Sequence, residues 1–170
     1  MNGWSHYLFA LSVQIGALFL SMGVSNAYCA DDVTHTFSLS RHSGGTLYVD
    51  ITLEQGISAP FLVDTGSGLV TLNKKTFDAL NRDDALVPVG EVAARMANGR
   101  IHAIKQYRLQ SLRIGNSCEL GPIDVAVLPN GSNILSINAL LRAAPMTLSA
   151  DALTLSGCRT DMLVMEKPAF

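Results

Sequence analysis

Apolar and polar residues alternate along most of the chain after residue 33, and a period of two is typical of β-strands with one buried face. The clearest example is the segment 46–53, in which every second residue is apolar: Leu47, Val49, Ile51 and Leu53. The same alternation, or a short apolar run, predicts further strands at 34–40, 59–63, 69–72, 91–97, 101–114, 123–128, 146–149 and 152–155. The pattern therefore predicts an all-β domain.

Two short segments have the pattern of a helix instead. Lys74–Asn81 carries Phe77 and Leu80 three positions apart. Asn73 precedes it and is a suitable N-cap, because its side chain can accept a hydrogen bond from the first turn. A second short helix is predicted at Ile137–Arg142. We therefore expect one or two short helices beside the strands.

Asn98-Gly99 lies between two long strand segments and predicts a β-hairpin. Both residue types tolerate a positive φ, which a two-residue hairpin turn requires at its two central positions. Further turns are predicted at 41–45, 55–56, 115–116 and 129–131.

The first 30 residues contain none of the chain's 12 Lys and Arg or 14 Asp and Glu residues. Tyr7 to Val24 is almost continuously apolar, and Ser25-Asn26-Ala27 supplies small residues of the kind that signal peptidase recognises, with cleavage after Ala30 as a second possibility. We expect 1–30 to be an export signal; an uncleaved membrane anchor and a misassigned start codon are the alternatives.

These boundaries predict a domain at 31–158 and a flexible tail at 159–170. An export signal would place the domain in the periplasm or outside the cell. An anchor would instead hold the domain in the periplasm, attached to the inner membrane.

The formal net charge is -2 and no basic run occurs, so the composition gives no support for a nucleic-acid partner. The four histidines are scattered and no Cys/His cluster is present, so we expect neither a metal nor another cofactor. Cys118 and Cys158 lie outside the N-terminal segment. In an oxidising compartment they could form a disulfide, and separate thiols are an equal alternative.

The tetrapeptide Asp64-Thr65-Gly66-Ser67 directly follows the apolar run 61–63 and occurs once in the chain. This order places a carboxylate at the end of a short buried strand, before a glycine that permits a tight turn. Thr65 and Ser67 offer hydroxyls that could orient the carboxylate, and Gly66 lets backbone approach it. The same residues are also common in ordinary turns.

Residues 61–67 resemble the active-site turn of retropepsin-like aspartic proteases, in particular the single-domain bacterial members. Three further segments resemble this group in the same order: the hairpin 96–99, the strand pair formed by 113–115 and 123–129, and the segment 134–140. The resemblance covers about residues 35–157, and this context favours a catalytic turn over an ordinary one. It implies a closed β-barrel or sandwich with one lobe per chain.

The resemblance also implies roles for individual residues. Asp64 would be the catalytic acid, and a flap over the substrate would include Ala97, Asn98 and Gly99. The apolar pair Ile134 and Leu135 would support the active-site turn from below, followed by Ser136 at the position where the family has a glycine.

Peptide hydrolysis needs a general base to activate water and an acid to protonate the leaving nitrogen. Two neighbouring carboxyls that share one proton supply both functions, as in aspartic proteases. Because Asp64 is the only Asp followed by Thr-Gly, the second carboxyl would come from another copy of the chain, in a two-fold homodimer. The predicted function is therefore an exported aspartic endopeptidase that cleaves extended polypeptides.

Ser136 motivates a second hypothesis. A glycine at such a site usually indicates close backbone approach or a positive φ, which serine accommodates less well. The alternative is a catalytically impaired retropepsin-like domain that serves binding or assembly in the cell envelope.

Overall fold

The computed structural model describes residues 33–96 and 98–158, so the expectations for the segments 1–30 and 159–170 lie outside the described residues. Thirteen strands are described: β1 (His35–Ser38), β2 (Ser40–Arg41), β3 (Leu47–Leu53), β4 (Ser58–Asp64), β5 (Val70–Asn73), β6 (Val87–Arg95), β7 (Ile101–Leu109), β8 (Leu112–Ile114), β9 (Cys118–Glu119), β10 (Ile123–Leu128), β11 (Asn133–Ser136), β12 (Met146–Leu148) and β13 (Ala152–Leu155). The helices are α1 (Lys74–Leu80) and α2 (Ile137–Leu140). The predicted all-β fold with two short helices is confirmed.

The strands form two sheets. Ten belong to one sheet in the order β6-β7-β10-β5-β11-β4-β3-β8-β9, with β2 paired beside β3. The other sheet has the order β1-β13-β12 and joins the first described strand to the last two. Within the described residues, no helix is long and apolar enough to cross a membrane.

Four central strands determine where the functional residues meet. β11 runs parallel to β4 and antiparallel to β5, and β10 runs parallel to β5. The carboxyl ends of β4 and β11 therefore lie at the same edge of the sheet as the amino ends of β5 and β10. Asp64 ends β4, so the candidate site is at this edge.

The core lies against one face of the large sheet, as the alternation predicted. Val49, Ile51 and Leu53 are buried together, while Asp50 between them is exposed. The core also takes in residues of the smaller sheet, such as Leu153. Each such buried side chain stabilises the folded state by about 1.5–3 kcal/mol, relative to the same side chain left exposed.

The first helix forms as its sequence indicated. The Asn73 side chain accepts a hydrogen bond from the Thr76 backbone N–H at 2.8 Å, and Leu80 is fully buried. The second helix is shorter than expected, because α2 ends at Leu140 and a 3₁₀ turn at Leu141–Ala143 replaces its last part.

The hairpin between β6 and β7 differs from the predicted two-residue turn. Met96 N donates to Arg100 O at 2.8 Å, and Gly99 N donates to Met96 O at 2.8 Å. Three residues therefore lie between the last bonded pair, with Gly99 at φ 80°. This longer connection, in which a glycine with positive φ completes the turn, is another common hairpin solution. Ala97 is outside the described residues.

Cys118 and Cys158 form a disulfide across 40 residues. The bond joins Cys118 in β9 to Cys158, which lies just after β13. Cys118 is fully buried. Of the two alternatives that the sequence left open, the bonded one is correct.

Candidate active site

Asp64 is the last residue of β4 and is half-buried. Phe61, three residues earlier, is completely buried in the core and holds the strand in place. A segment that we call the Asp64 turn (residues 64–69) then leads into β5. The apolar strand thus presents one carboxyl group at the edge of the sheet.

Within the turn, the carboxylate is bonded to backbone. Gly66 N donates to Asp64 Oδ1 at 2.9 Å. A Cβ at residue 66 would lie 3.2 Å from the same oxygen, closer than most Cβ contacts. This close approach explains the glycine, as the sequence suggested.

The two neighbouring hydroxyls differ in their hydrogen bonds. Ser67 Oγ donates to Leu69 O at 3.0 Å and accepts from Leu69 N at 3.3 Å, so it stabilises the turn and does not orient Asp64. Thr65 is exposed, and its hydroxyl bonds no residue in the described part of the chain. Neither hydroxyl bonds the Asp64 carboxylate among the described residues, and their orienting role in a pair of carboxylates stays a prediction.

The three support residues lie where the resemblance implied. Ile134, Leu135 and Ser136 on β11 pair in parallel with Leu62, Val63 and Asp64 on β4. Leu135 is fully buried in the core, directly beside the strand that carries the acid. Their packing position is observed, whereas a catalytic role of Asp64 stays a prediction.

Ser136 fits its site without strain. Its backbone has φ −81° and ψ 161°, an extended conformation open to any residue. Its hydroxyl caps α2 by accepting from Ala139 N at 3.4 Å, and the residue is only 1% exposed. The backbone here does not require glycine, which removes the geometric reason for suspecting an impaired site.

Two asparagines that the sequence analysis did not assign anchor the site. Asn138 Nδ2 on α2 donates to Gly68 O at 2.9 Å, beside a backbone bond of 3.0 Å from Ile137 N to Ser67 O. Asn133, 3% exposed, donates to Pro60 O and accepts from Asn73 N. An amide directly before the apolar pair Ile134-Leu135 is the signal that could have indicated Asn133, whereas Asn138 had no comparable signal.

A row of side chains extends from β4 across the sheet on the face of Asp64. Leu62 pairs with Ile134, which pairs with Thr71, which pairs with Ala126. None of the four belongs to the main core. The Thr71 hydroxyl is buried and bonds no described residue. This row forms a second, mostly apolar surface beside the acid.

A cavity of about 230 Å³ lies next to the Asp64 turn, with Gly68, Gln106, Asp124 and Arg142 among its lining residues. Asp124 is paired with Arg108 through a close contact to Nε and a 3.0 Å contact to Nη2. The hydrogen bond and the charge of Asp124 raise the pKa of the Arg108 guanidinium. The polar lining contrasts with the apolar row.

Only one carboxyl group is present at the end of β4. Among the described residues, no second carboxyl group bonds to Asp64, and no cluster of His, Cys, Asp and Glu is arranged to hold a metal ion. One chain therefore places a single carboxyl group, that of Asp64, at this edge of the sheet.

A sequence model described as "Aspartyl protease" matches residues 49–142. Among solved structures, the chain is similar to a retropepsin-like aspartic protease from Rickettsia conorii, with a TM-score of 0.55 and 21% identity, covering 72% of this chain and 91% of that chain. No curated protein sequence matches. Since the family match spans more than half of the 170 residues, from β3 through the Asp64 turn to the turn after α2, the chain belongs to the aspartyl protease family and has a retropepsin-like fold.

Proposed function

We propose that the protein is an exported aspartic endopeptidase that acts as a homodimer on extended polypeptides. The observation that carries the proposal is the single Asp64 carboxylate, held at the sheet edge by Gly66 N and by a turn that is bonded to α2. Membership of the aspartyl protease family supports a peptidase activity of this type.

Dimerisation follows from the chemistry. A lone carboxylate can accept a proton from water but cannot at the same time donate one to the leaving nitrogen. A two-fold axis beside Asp64 would bring in the partner's Asp64, and the pair would share one proton. One carboxyl then activates water while the other protonates the amine. The two β6–β7 hairpins would cover the substrate and exclude bulk water.

Two observations bear on location. The Cys118–Cys158 disulfide suits an oxidising compartment, such as the periplasm or the extracellular space. The uncharged, apolar segment 1–30 supplies an export signal or an anchor. Fractionation with a thiol-trapping assay of the two cysteines tests this part: fully reduced cysteines in the native cell would contradict export.

The central experiment measures cleavage of a peptide library by the wild type and by Asp64→Asn. We expect the substitution to reduce kcat/KM by about 10³-fold or more, because an amide supplies neither a general acid nor a general base. Asp78→Asn is the matched control, since Asp78 lies on the exposed side of α1 and pairs with Lys74. It should retain full activity.

Undiminished cleavage by a folded Asp64→Asn protein would overturn the proposal. A wild-type dimer that binds peptides and cleaves none would instead favour the second hypothesis, a binding or assembly domain. Sedimentation of the same samples gives the dimer fraction, so a lack of activity caused by dissociation can be recognised.

A further inference from the structure

We propose that the polar cavity beside the Asp64 turn is a substrate subsite for an acidic side chain, and that Arg142 selects it. This inference rests on the proposed peptidase function, since it assigns a specificity to that site. It concerns residues of this chain that lie outside the carboxyl pair.

The cavity borders the Asp64 turn, although Asp64 itself does not line it. Gly68 belongs to the Asp64 turn, Ser136 pairs with Asp64 across the β4–β11 ladder, and Asn138 holds Gly68 by its amide. Gln106 and Asp124 also line the cavity and lie on the same face of the sheet, because Gln106 pairs with Ala126 and Asp124 precedes Ala126 by two positions. An extended peptide that reaches Asp64 therefore passes close to this cavity.

The cavity's size fits one side chain. Its volume of about 230 Å³ is below the roughly 300–1,000 Å³ of pockets that hold a separate small molecule. Val70 and Ile123, the first residues of β5 and β10, line it, so it lies at the same sheet edge as Asp64. A side chain of a bound peptide is the occupant that this size and position favour.

The charges around the cavity favour an anion. Asp124 has both carboxylate oxygens occupied by Arg108. Arg142 bonds only neutral carbonyls, with Nη1 donating to Leu120 O at 2.8 Å and to Pro122 O. No carboxylate in the described part of the chain forms an ion pair with Arg142. Arg108 does not line the cavity, but it compensates the charge of Asp124 and so leaves the positive charge of Arg142 in excess.

The remaining donors are of the kind that a carboxylate accepts from. The carbonyls of Leu120 and Pro122 fix one nitrogen of Arg142, so the guanidinium is already positioned and its other nitrogens remain available. The Gln106 amide also lines the cavity and bonds no described residue. A carboxylate would gain charge-assisted hydrogen bonds here, whereas a Lys or Arg side chain would be repelled.

The test compares matched peptides. At each position of a peptide that the wild type cleaves, the residue is replaced by Asp and by Asn, and in a second pair by Glu and by Gln. The kcat/KM values of the acid and the amide peptide are then compared within each pair. We expect the wild type to favour the acid about tenfold at one position away from the scissile bond. Arg142→Gln should reduce that preference to about twofold or less, and Arg142→Glu should reverse it, so that the amide peptide is cleaved faster than the acid peptide.

Arg41→Gln is the matched control. Arg41 is also exposed and also donates to a backbone carbonyl, Ala150 O at 3.4 Å, but it does not line the cavity. It changes the net charge by the same amount and should leave the acid preference intact. Because Arg142 bonds two carbonyls, thermal unfolding of each variant is measured as well. The reversal in Arg142→Glu identifies the subsite in a folded protein.

A binding measurement separates the inference from the proposed function. Asp64→Asn protein is titrated with the same acid and amide peptides by fluorescence anisotropy, which requires no cleavage. Tighter binding of the acid peptide, abolished by adding Arg142→Gln, supports the subsite even in an inactive protein. Equal binding of acid and amide peptides, or a preference that Arg142→Glu leaves unchanged, overturns the inference. Absence of cleavage by the wild type counts against the peptidase function alone.

Discussion

The Asp64 turn and the β6–β7 hairpin are the two parts of the molecule that a substrate would meet, and they are held in opposite ways. The turn is bonded to α2, because Ile137 N donates to Ser67 O and Asn138 Nδ2 donates to Gly68 O. The outer hairpin (residues 91–105) pairs with itself, and the described pairing of β7 with β10 begins only at Gln106. Ile101 near its tip is 62% exposed.

The two regions therefore differ in how freely they can move. A two-stranded ribbon with little buried surface is marginally stable, so the hairpin can open and close at small cost in free energy. A catalytic carboxyl must instead hold its position, because an error of about 1 Å can reduce the rate by about 10²-fold. The chain thus carries its acid on packed strands, whereas the hairpin that we propose as its cover is a two-stranded ribbon.

After the loss of the acid itself, the largest expected effect concerns Gly66, whose backbone N–H donates to Asp64. Gly66→Ala would place a methyl group 3.2 Å from Asp64 Oδ1, so we expect the carboxyl to be displaced and kcat/KM to fall by about 10²-fold. Gly68→Ala is the control in the same turn, since its Cβ would lie at an ordinary 3.5 Å from Asn138 Nδ2. Equal activity of the two variants would show that the turn is less rigid than its bonds indicate.

The bond between α2 and the turn should have the next largest effect. Asn138→Ala removes the amide that holds Gly68 O, so we expect a loss of about 1 kcal/mol in unfolding free energy and about tenfold in kcat/KM. Asn116→Ala, at an exposed turn, should change neither. If Asn138→Ala loses stability but keeps full activity, the turn does not need this anchor to position the acid.

Acid should weaken the corner formed by β8 and β9. Burial acts to raise the pKa of Glu119, but hydrogen bonds from Gly121 N, the Ser111 hydroxyl and Leu112 N, with the charge of Arg113, lower it overall. A lowered pKa in the folded state means that the contribution to stability is complete above the ordinary value of 4.5 and is lost as the pH falls below it.

Chemical unfolding from neutral pH down to about pH 3 measures this loss, and Glu119→Gln should show a smaller change over the same range. The corner also carries Leu120, whose carbonyl bonds Arg142. A wild type and a Glu119→Gln variant with the same acid dependence would show that other carboxyl groups dominate.

The smallest effect on global stability is expected at the hairpin tip. Gly99 has φ 80°, and a Cβ there would meet no atom within 4 Å, so Gly99→Ala adds backbone strain of about 1 kcal/mol without a clash. Because the tip is separate from the core, hydrogen exchange should accelerate within 91–105 while the melting temperature stays the same. A fall in melting temperature would mean that the hairpin is coupled to the core.

Local chemistry made much of this fold predictable. The period of two in 46–53 and the Asn73 cap of α1 depend on neighbouring residues, and both were confirmed. The position of Asp64 at the end of an apolar strand could be predicted as well, because it too depends on neighbouring residues.

The features that could not be predicted depend on long-range contacts. The disulfide links residues 40 apart, Asn138 reaches a carbonyl 70 positions away, and Arg142 meets the corner after β9. The role of Ser136 as a helix cap could not be predicted, because it appears only once α2 is seen to start beside it. The hairpin turn was misjudged, since Gly99 can complete either a two-residue or a three-residue connection.

The most direct test of a carboxyl pair shared by two chains is a mixing experiment. Wild type and Asp64→Asn protein are unfolded together in equal amounts, refolded so that subunits combine at random, and assayed for peptide cleavage. If both carboxyls are required, only wild-type pairs are active, and about one quarter of the activity of an all-wild-type sample remains. A remaining activity of about one half would show that each chain acts with its own Asp64 alone, and would contradict the account.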